Sequence, residues 1–96
     1  MNGSDERVGP VLENGEVGQA LVTAMRESHK NLVVEDHGSY LRVLVPGRCS
    51  VTRERIEKTL GRPFQLPGDL EAVMPSFKGA FRVSADGAEW NAKRAS

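Results

Sequence analysis

The sequence predicts a single α+β domain: a small mixed or antiparallel sheet built from hairpins, with two to three helices packed against it. Apolar residues recur with helical spacing in one segment, and runs rich in β-branched and aromatic residues flank turn dipeptides in two others. A chain of 96 residues leaves room for one modest core. We expect the domain to span residues 8–91, between a flexible N-terminal tail (1–7) and a flexible C-terminus (92–96).

The first two elements are a strand and a helix. Val8 to Leu12 is apolar and predicts a strand, and Pro10 within it favours a position near a sheet edge because proline has no N–H to donate. Glu16 to Ser28 predicts an amphipathic helix, slightly weakened by Gly18. Its apolar face is formed by Val17, Ala20, Leu21, Ala24 and Met25.

A hairpin follows. Leu32 to Val34 and Tyr40 to Val45 are rich in β-branched and aromatic residues, and Gly38-Ser39 supplies the turn between them. We therefore expect two adjacent antiparallel strands with a polar tip.

Two further helices are predicted from their boundary residues. Thr52 is a suitable N-cap for a helix from Arg53 to Leu60, and Gly61 is placed to end that helix in a left-handed conformation. Asp69 is predicted to cap a short helix from Leu70 to Met74.

The last unit is another hairpin. Phe77 to Ser84 and Ala88 to Asn91 flank Asp86-Gly87, a dipeptide that favours tight hairpin turns. Just before it, Pro75 and Gly79 bracket a loop that carries Phe77. As core, Phe77 would fill space; as an exposed anchor, it would suit a protein interface, where rigid aromatic rings contribute much of the binding energy.

Charge and cysteine content restrict the possible partners. Thirteen basic residues balance thirteen acidic ones, so no overall field attracts the chain to nucleic acid or to an anionic membrane. The single Cys49 cannot form an internal disulfide, and no apolar run is long enough to cross a bilayer. Met1 to Arg7 lacks the apolar segment of a signal peptide, so we expect a cytoplasmic protein. We also expect the free protein to be monomeric.

The trio Glu35-Asp36-His37 is the main candidate for chemistry. Consecutive residues of a strand point to opposite faces, so the three side chains do not readily converge on one ion or substrate, whereas a polar turn accounts for their composition. One cysteine and two histidines do not make a zinc site. We expect no catalytic residues, no cofactor and no metal; a small hydrolase or isomerase using Asp36 and His37 is the least favoured alternative.

One run of the chain has a familiar pattern. Its four features, in order, are Val34-Glu35-Asp36, a strand that begins at Tyr40, a short helix, and Leu60-Gly61-Arg62-Pro63-Phe64. In the order of these features the chain resembles the effector, or coupling, proteins of the soluble bacterial multicomponent diiron monooxygenases. These are the regulatory components of methane, phenol, toluene and alkene monooxygenases. The resemblance extends from Val8 to Trp90, and the opening strand is most similar to the toluene and alkene members. His37 replaces an expected arginine.

The resemblance implies a cofactor-free protein without an active site. It would bind the hydroxylase component of an aromatic or alkene monooxygenase and tune substrate and oxygen access, coupling and product selectivity. The alternative is a small α+β ligand-sensing or protein-interaction domain unrelated to oxygenases. The residues that we expect to contact the hydroxylase are Ser76, Phe77, Lys78, Gly79, Val8, Gly9, Pro10, Glu35, Asp36, Tyr40 and Arg42.

Overall fold

The computed structural model describes residues 6–93, and within that range the chain forms seven strands and three helices. Of the termini predicted as 1–7 and 92–96, residues 1–5 and 94–96 lie outside the described residues. In chain order the elements are β1 (Arg7–Glu13), α1 (Glu16–Arg26), β2 (Val33–Asp36), β3 (Tyr40–Pro46), β4 (Arg48–Thr52), α2 (Arg53–Leu60), α3 (Gly68–Glu71), β5 (Ser76–Lys78), β6 (Ala80–Val83) and β7 (Gly87–Asn91).

The strands form two antiparallel sheets, which confirms the α+β class. One sheet has the order β2-β3-β1-β5 and the other the order β4-β7-β6. The sequence predicted one long strand from Phe77 to Ser84, but Gly79 divides this segment between the two sheets. Gly79 has a φ of 107°, which favours glycine, and a Cβ there would lie 2.8 Å from both Val8 Cγ1 and the Asn91 carbonyl oxygen.

Strand β1 is the second strand from one edge of its sheet, between β3 and the short edge strand β5, so Pro10 lies near an edge, as predicted, but not on the edge strand itself. The β1–β3 register places Val8 opposite Val45 and Val11 opposite Arg42, with no paired positions at Gly9 and Pro10. At this interruption the backbone of Gly9 lies directly against the Val43 carbonyl. An interior strand can therefore accommodate a proline because its ladder is interrupted there.

The core lies on one side of the four-stranded sheet, where α1 packs against α2 and β4. Helix α1 ends at Arg26, two residues before the predicted end. Gly18 is more than a weak point in this helix, because a Cβ there would collide with the Glu13 carbonyl. The largest fully buried side chains include Trp90, Leu12, Leu21, Met25, Ile56, Leu70 and Val8.

The boundary residues of α2 behave as predicted, whereas those of α3 do not. Thr52 Oγ1 accepts a hydrogen bond of 3.2 Å from the Arg55 N–H, and Gly61 ends the helix with a φ of 82°. Helix α3 begins at Gly68, with Pro67 in the capping position. Asp69 does not cap it, since its carboxylate accepts a hydrogen bond from the Gln65 N–H at 2.7 Å.

Both predicted hairpins are present. Residues 37–39 connect β2 to β3, so Glu35 and Asp36 belong to the strand and only His37 of the trio belongs to the turn. The β6–β7 hairpin closes through Ser84 N–H donating to the Gly87 carbonyl at 2.9 Å.

The ends of the described range are tied to the sheets. Arg7 of β1 pairs with Pro46 of β3, and the Ala92 N–H donates to the Gly47 carbonyl at 2.9 Å. Across residues 6–93, no helix has the length and apolar character needed to cross a membrane.

Candidate functional site

The side of the four-stranded sheet that faces away from the core is the candidate site. Because successive strand residues point to opposite faces, Val8, Pro10 and Leu12 of β1 enter the core and are buried, whereas Val11 and Glu13 point to the other side. We refer to that other side as the outer face. It exposes Tyr40, Arg42, Glu35, Val33, Ser76 and Lys78.

The strand register places residues from four separate segments in one row across the outer face. Glu35 of β2 lies opposite Arg42 of β3, Arg42 lies opposite Val11 of β1, and Val11 lies opposite Ser76 of β5. Lys78 lies opposite Gly9 on the same pair of strands. Paired residues of adjacent strands project on the same side, so this row presents its side chains together.

A groove of about 770 Å³ runs over β1 on this face. Its floor is low because Gly9 has no side chain and Val11 is half-buried. The wall on β3 and the wall on the β5 side both carry longer residues. The residues that line the groove are Gly9, Val11, Glu13, Asn14, Ser39, Tyr40, Arg42, Pro75, Ser76, Phe77 and Lys78.

Six of the eleven residues expected from the sequence to contact a partner line this groove: Gly9, Tyr40, Arg42, Ser76, Phe77 and Lys78. Glu35 lies on the same face, one strand beyond Arg42. Val8 and Pro10 are fully buried, so their side chains do not reach a partner surface in this conformation. Gly79 packs against Val8 at the junction of the two sheets.

Asp36 is the remaining predicted residue, and it stabilises the tip of the β2–β3 hairpin. Asp36 Oδ1 accepts a hydrogen bond of 2.8 Å from the Gly38 N–H. On the other side of the turn, Asn14 Nδ2 donates to the Gly38 carbonyl at 2.8 Å. The carboxylate of Asp36 is thus used for the turn, as the sequence composition suggested.

Glu35 and His37 form a separate contact on the outer face. Glu35 Oε1 lies 3.3 Å from His37 Nε2, and the His37 ring stacks on the Tyr40 ring with centroids 4.7 Å apart and planes 14° apart. Asp36, on the opposite face of the strand, does not join them. No group of three or more His, Cys, Asp or Glu side chains that could hold a metal ion occurs within residues 6–93.

Two cations on the groove walls have no ion pair with any described residue. Arg42 lies opposite Glu35 in the register, but the Glu35 carboxylate is turned to His37. Lys78 likewise makes no salt bridge within residues 6–93. Elsewhere, four arginines are paired: Arg48 and Arg82 with Glu89, Arg55 with Glu27, and Arg62 with Glu16.

Phe77 belongs to a strand and not to the loop predicted from its Pro and Gly neighbours, because residues 76–78 pair with β1. It lies opposite Pro10 and is 45% exposed. Its ring centroid is 5.1 Å from that of Phe81, which is 5.3 Å from that of Trp90. Phe77 is therefore the exposed end of an aromatic row whose other end, Trp90, is in the core.

Some titratable groups outside the groove take part in structural contacts or lie in the core. Arg48 donates hydrogen bonds to Glu89 and holds the pKa of that carboxyl below its usual value of 4.5. Arg62 lowers the pKa of Glu16 in the same way. Burial raises the pKa of the Cys49 thiol to about 12, so the thiol stays protonated and unreactive near neutral pH.

The sequence interpretation missed part of the groove, including Glu13, Asn14, Val11, Ser39 and Pro75. Strand alternation from Pro10 and Leu12 would have placed Val11 and Glu13 on the outer face, but the pairing of β1 with β5 was needed to bring Pro75 near them. The assembled surface combines a low floor, exposed aromatic rings and two cations that form no ion pair within residues 6–93. Such a surface suits recognition of a partner, and it lacks a converging nucleophile and base.

Known proteins are similar to this chain in sequence and in fold. A profile of the MmoB/DmpM family matches residues 6–91. The effector subunit of the alkene monooxygenase system of Xanthobacter autotrophicus is 36% identical over 85 residues, which are 86% of this chain and 83% of that protein.

Three solved chains have the same fold at low sequence identity. Two come from structures of the phenol hydroxylase–regulatory protein complex. One has a TM-score of 0.79 and 17% sequence identity, and the match covers 91% of this chain and 98% of that chain. The other has a TM-score of 0.74 and 21% sequence identity, and the match covers 88% of this chain and 100% of that chain. The third chain, from the structure of the soluble methane monooxygenase regulatory protein B, has a TM-score of 0.68 and 21% sequence identity, and the match covers 97% of this chain and 69% of that chain. Together with the match over residues 6–91, these findings confirm the resemblance noted in the sequence: the chain belongs to the MmoB/DmpM family.

Proposed function

We propose that this protein is the effector component of a multicomponent diiron monooxygenase that oxidises alkene or aromatic hydrocarbons. It binds the hydroxylase component and has no active site of its own. Membership in the MmoB/DmpM family is the observation that carries this proposal, supported by the 36% identity to an alkene monooxygenase effector subunit. That relative makes an alkene hydroxylase the first partner to test.

The docking surface in this proposal is the outer face with its groove. Tyr40, Arg42, Ser76 and Lys78 contact the hydroxylase from the two groove walls, and Phe77 contacts it from the sheet edge. Tyrosine and arginine, here Tyr40 and Arg42, are among the residue types that most often dominate binding energy at protein interfaces. Val8 and Pro10 contribute from beneath, by holding β1 in place.

Regulation by such a protein requires differential binding. The effector shifts the hydroxylase toward a competent conformation only by binding that conformation more tightly than the resting one. A tenfold shift in the population ratio requires about 1.4 kcal/mol of difference in binding free energy. Linkage makes the effect reciprocal, so ligands or redox states that favour the competent hydroxylase tighten the binding of this protein.

A titration of the cognate diiron hydroxylase with this protein tests the proposal. We expect no turnover from this protein alone, and a change in the rate, coupling or product distribution of the hydroxylase that saturates near one effector per active site. If saturating protein leaves all three quantities unchanged, the effector function is wrong. Specific binding of a small metabolite without any hydroxylase would instead support the ligand-sensing alternative.

The proposal includes a cytoplasmic location and a monomeric free state. A lone thiol, buried at Cys49, suits a reducing compartment, where structural disulfides are rare. Sedimentation of the free protein measures its oligomeric state, and fractionation of the native cells measures its location.

A further inference from the structure

We propose that the groove recognises a carboxylate: an Asp or Glu side chain on the surface of the hydroxylase enters it between Arg42 and Lys78. This inference rests on the effector function proposed above and specifies the chemistry of the contact. It is carried by the arrangement of charges in the groove.

The first step is the state of Arg42. Its cross-strand neighbour, Glu35, is the residue best placed to neutralise it. The Glu35 carboxylate instead contacts His37 Nε2 at 3.3 Å, and the His37 ring is held in position by stacking on Tyr40. Arg42 consequently presents a guanidinium group in the groove with no ion pair among residues 6–93.

The second step is the position of Lys78 relative to Arg42. Arg42 and Ser76 are in one row with a single strand between them, and Lys78 is two residues further along β5. Neighbouring strands lie about 4.8 Å apart, so the two groove walls are roughly 10 Å apart. Long, flexible side chains on opposite walls of such a groove reach one carboxylate from both sides.

The groove floor leaves space for that carboxylate. Gly9 contributes no side chain, and Val11 is only half exposed, so nothing on β1 fills the gap between the walls. The planar guanidinium of arginine can donate two parallel hydrogen bonds to a carboxylate, and the lysine ammonium adds a second positive charge.

Glu13 determines which part of the groove is available to an acid. It lines the groove opposite Tyr40, two residues from Val11 in the direction away from Gly9. Its negative charge disfavours an acidic group at the Tyr40 end. The preferred position therefore lies over Gly9 and Val11, between the two cations.

An apolar occupant fits the groove less well. Covering Arg42 and Lys78 with apolar surface removes both charges from water without a counter-charge, which opposes binding. A basic occupant meets two like charges. The groove thus favours a carboxylate over the other classes of side chain.

Binding measurements on charge variants test the inference. We would measure the Kd for the cognate hydroxylase by calorimetry with wild type, Arg42→Glu, Lys78→Glu and the control Arg53→Glu. Arg53 is an exposed arginine in the first turn of α2, outside the groove, where glutamate suits the helix dipole. We expect each groove reversal to weaken binding on the order of 100-fold and the control to change it by less than about threefold.

Two further measurements test how the contact depends on positive charge and on the guanidinium group. Arg42→Lys keeps the charge but cannot donate two parallel hydrogen bonds, so its affinity should lie between those of wild type and Arg42→Gln. The slope of log Kd against log salt concentration should be smaller for the double variant Arg42→Gln/Lys78→Gln than for wild type. Thermal unfolding of each free variant shows whether it remains folded.

The outcomes distinguish this inference from the proposed function. Wild-type binding with loss in both groove variants and not in Arg53→Glu supports the inference. Wild-type binding with no loss in the groove variants, or with equal loss in the control, overturns carboxylate recognition and leaves the effector function standing. If wild type itself does not bind the hydroxylase, the proposed function fails, and this inference fails with it.

Discussion

Gly79 lies against the side chain of Val8, and this contact joins the two sheets: a Cβ on Gly79 would be 2.8 Å from Val8 Cγ1. Gly79→Ala combines this collision with a φ of 107°, so we expect the free energy of unfolding to fall by roughly 2–4 kcal/mol. Urea denaturation measures the change. Gly61→Ala is the matched control, since Gly61 also has positive φ but has open space around it, and should cost only about 1 kcal/mol. Equal losses in the two variants would mean that the sheet junction tolerates a methyl group.

Phe77→Ala should weaken binding to the hydroxylase by roughly 1–3 kcal/mol while leaving the free protein folded. The ring is 45% exposed and stands at the outer end of the aromatic row, next to Phe81, so its removal should take little packing from the core. Calorimetry measures the affinity, and urea denaturation of the same sample measures stability. Phe77→Leu should recover part of the affinity. A variant that unfolds while its folded fraction binds normally would assign Phe77 to the core.

Cys49 should resist alkylation in the native protein. Burial raises its pKa to about 12, so the reactive thiolate is scarce and the sulfur is covered. We expect iodoacetamide at pH 8 to leave the folded protein unmodified by mass spectrometry and to add one label in guanidinium chloride. Rapid labelling under native conditions would show that the core around β4 opens readily.

Glu89 should contribute to stability in a pH-dependent way. Hydrogen bonding from Arg48 lowers its folded pKa below the usual 4.5, so the unfolded state binds the proton more readily. The stabilisation is therefore present above pH 4.5 and is lost as the pH falls through the lowered folded value. Glu89→Gln should flatten the acid side of a stability–pH profile measured by urea denaturation. Glu71→Gln, which removes an exposed carboxylate of α3 that makes no salt bridge within residues 6–93, serves as the comparison and should change the profile less than Glu89→Gln does.

The two histidines should differ in their effects on folding. His29 Nε2 is 3.0 Å from both the backbone nitrogen and the carbonyl oxygen of Ser50 in β4, so it can accept from the one or donate to the other. His29→Ala leaves a partly buried backbone group of Ser50 without its side-chain partner and should lower stability by about 1–2 kcal/mol in urea denaturation. His37→Ala, at the exposed hairpin tip, should change stability by less than about 0.5 kcal/mol. A hydrolase or isomerase activity that disappeared in His37→Ala would revive the catalytic interpretation of the Glu35-Asp36-His37 trio.

The sequence was informative where the physical cause is local. Thr52 and Gly61 determine the two ends of α2 through one side-chain hydrogen bond and one left-handed residue, and both are recognisable within a few positions. The Asp86-Gly87 turn is local in the same sense. The cap predicted at Asp69 was wrong because its carboxylate accepts a hydrogen bond from the Gln65 N–H and does not cap α3.

Non-local contacts explain most of what the sequence could not predict. Gly9 and Gly79 each lie against backbone or side chains from a distant position, and nothing near them in the chain indicates those neighbours. The sequence placed Pro10 near a sheet edge but did not indicate the partners of β1, which are β3 and the short edge strand β5. The alternation of Tyr40 and Arg42 did place both on one face. Their approach to Lys78 depends on the β1–β5 register.

The groove floor and the groove walls differ in how freely they can change. Gly9 and Val11 alternate along β1 with Val8, Pro10 and Leu12, so a one-residue shift in this strand would exchange solvent-facing and core positions. Tyr40, Arg42 and Lys78 project from the neighbouring strands into solvent, and replacing them leaves the interior intact. Substitutions at a few wall positions could thus give each of several paralogous oxygenases in one cell an effector that binds only its own hydroxylase, with the fold of the effector unchanged.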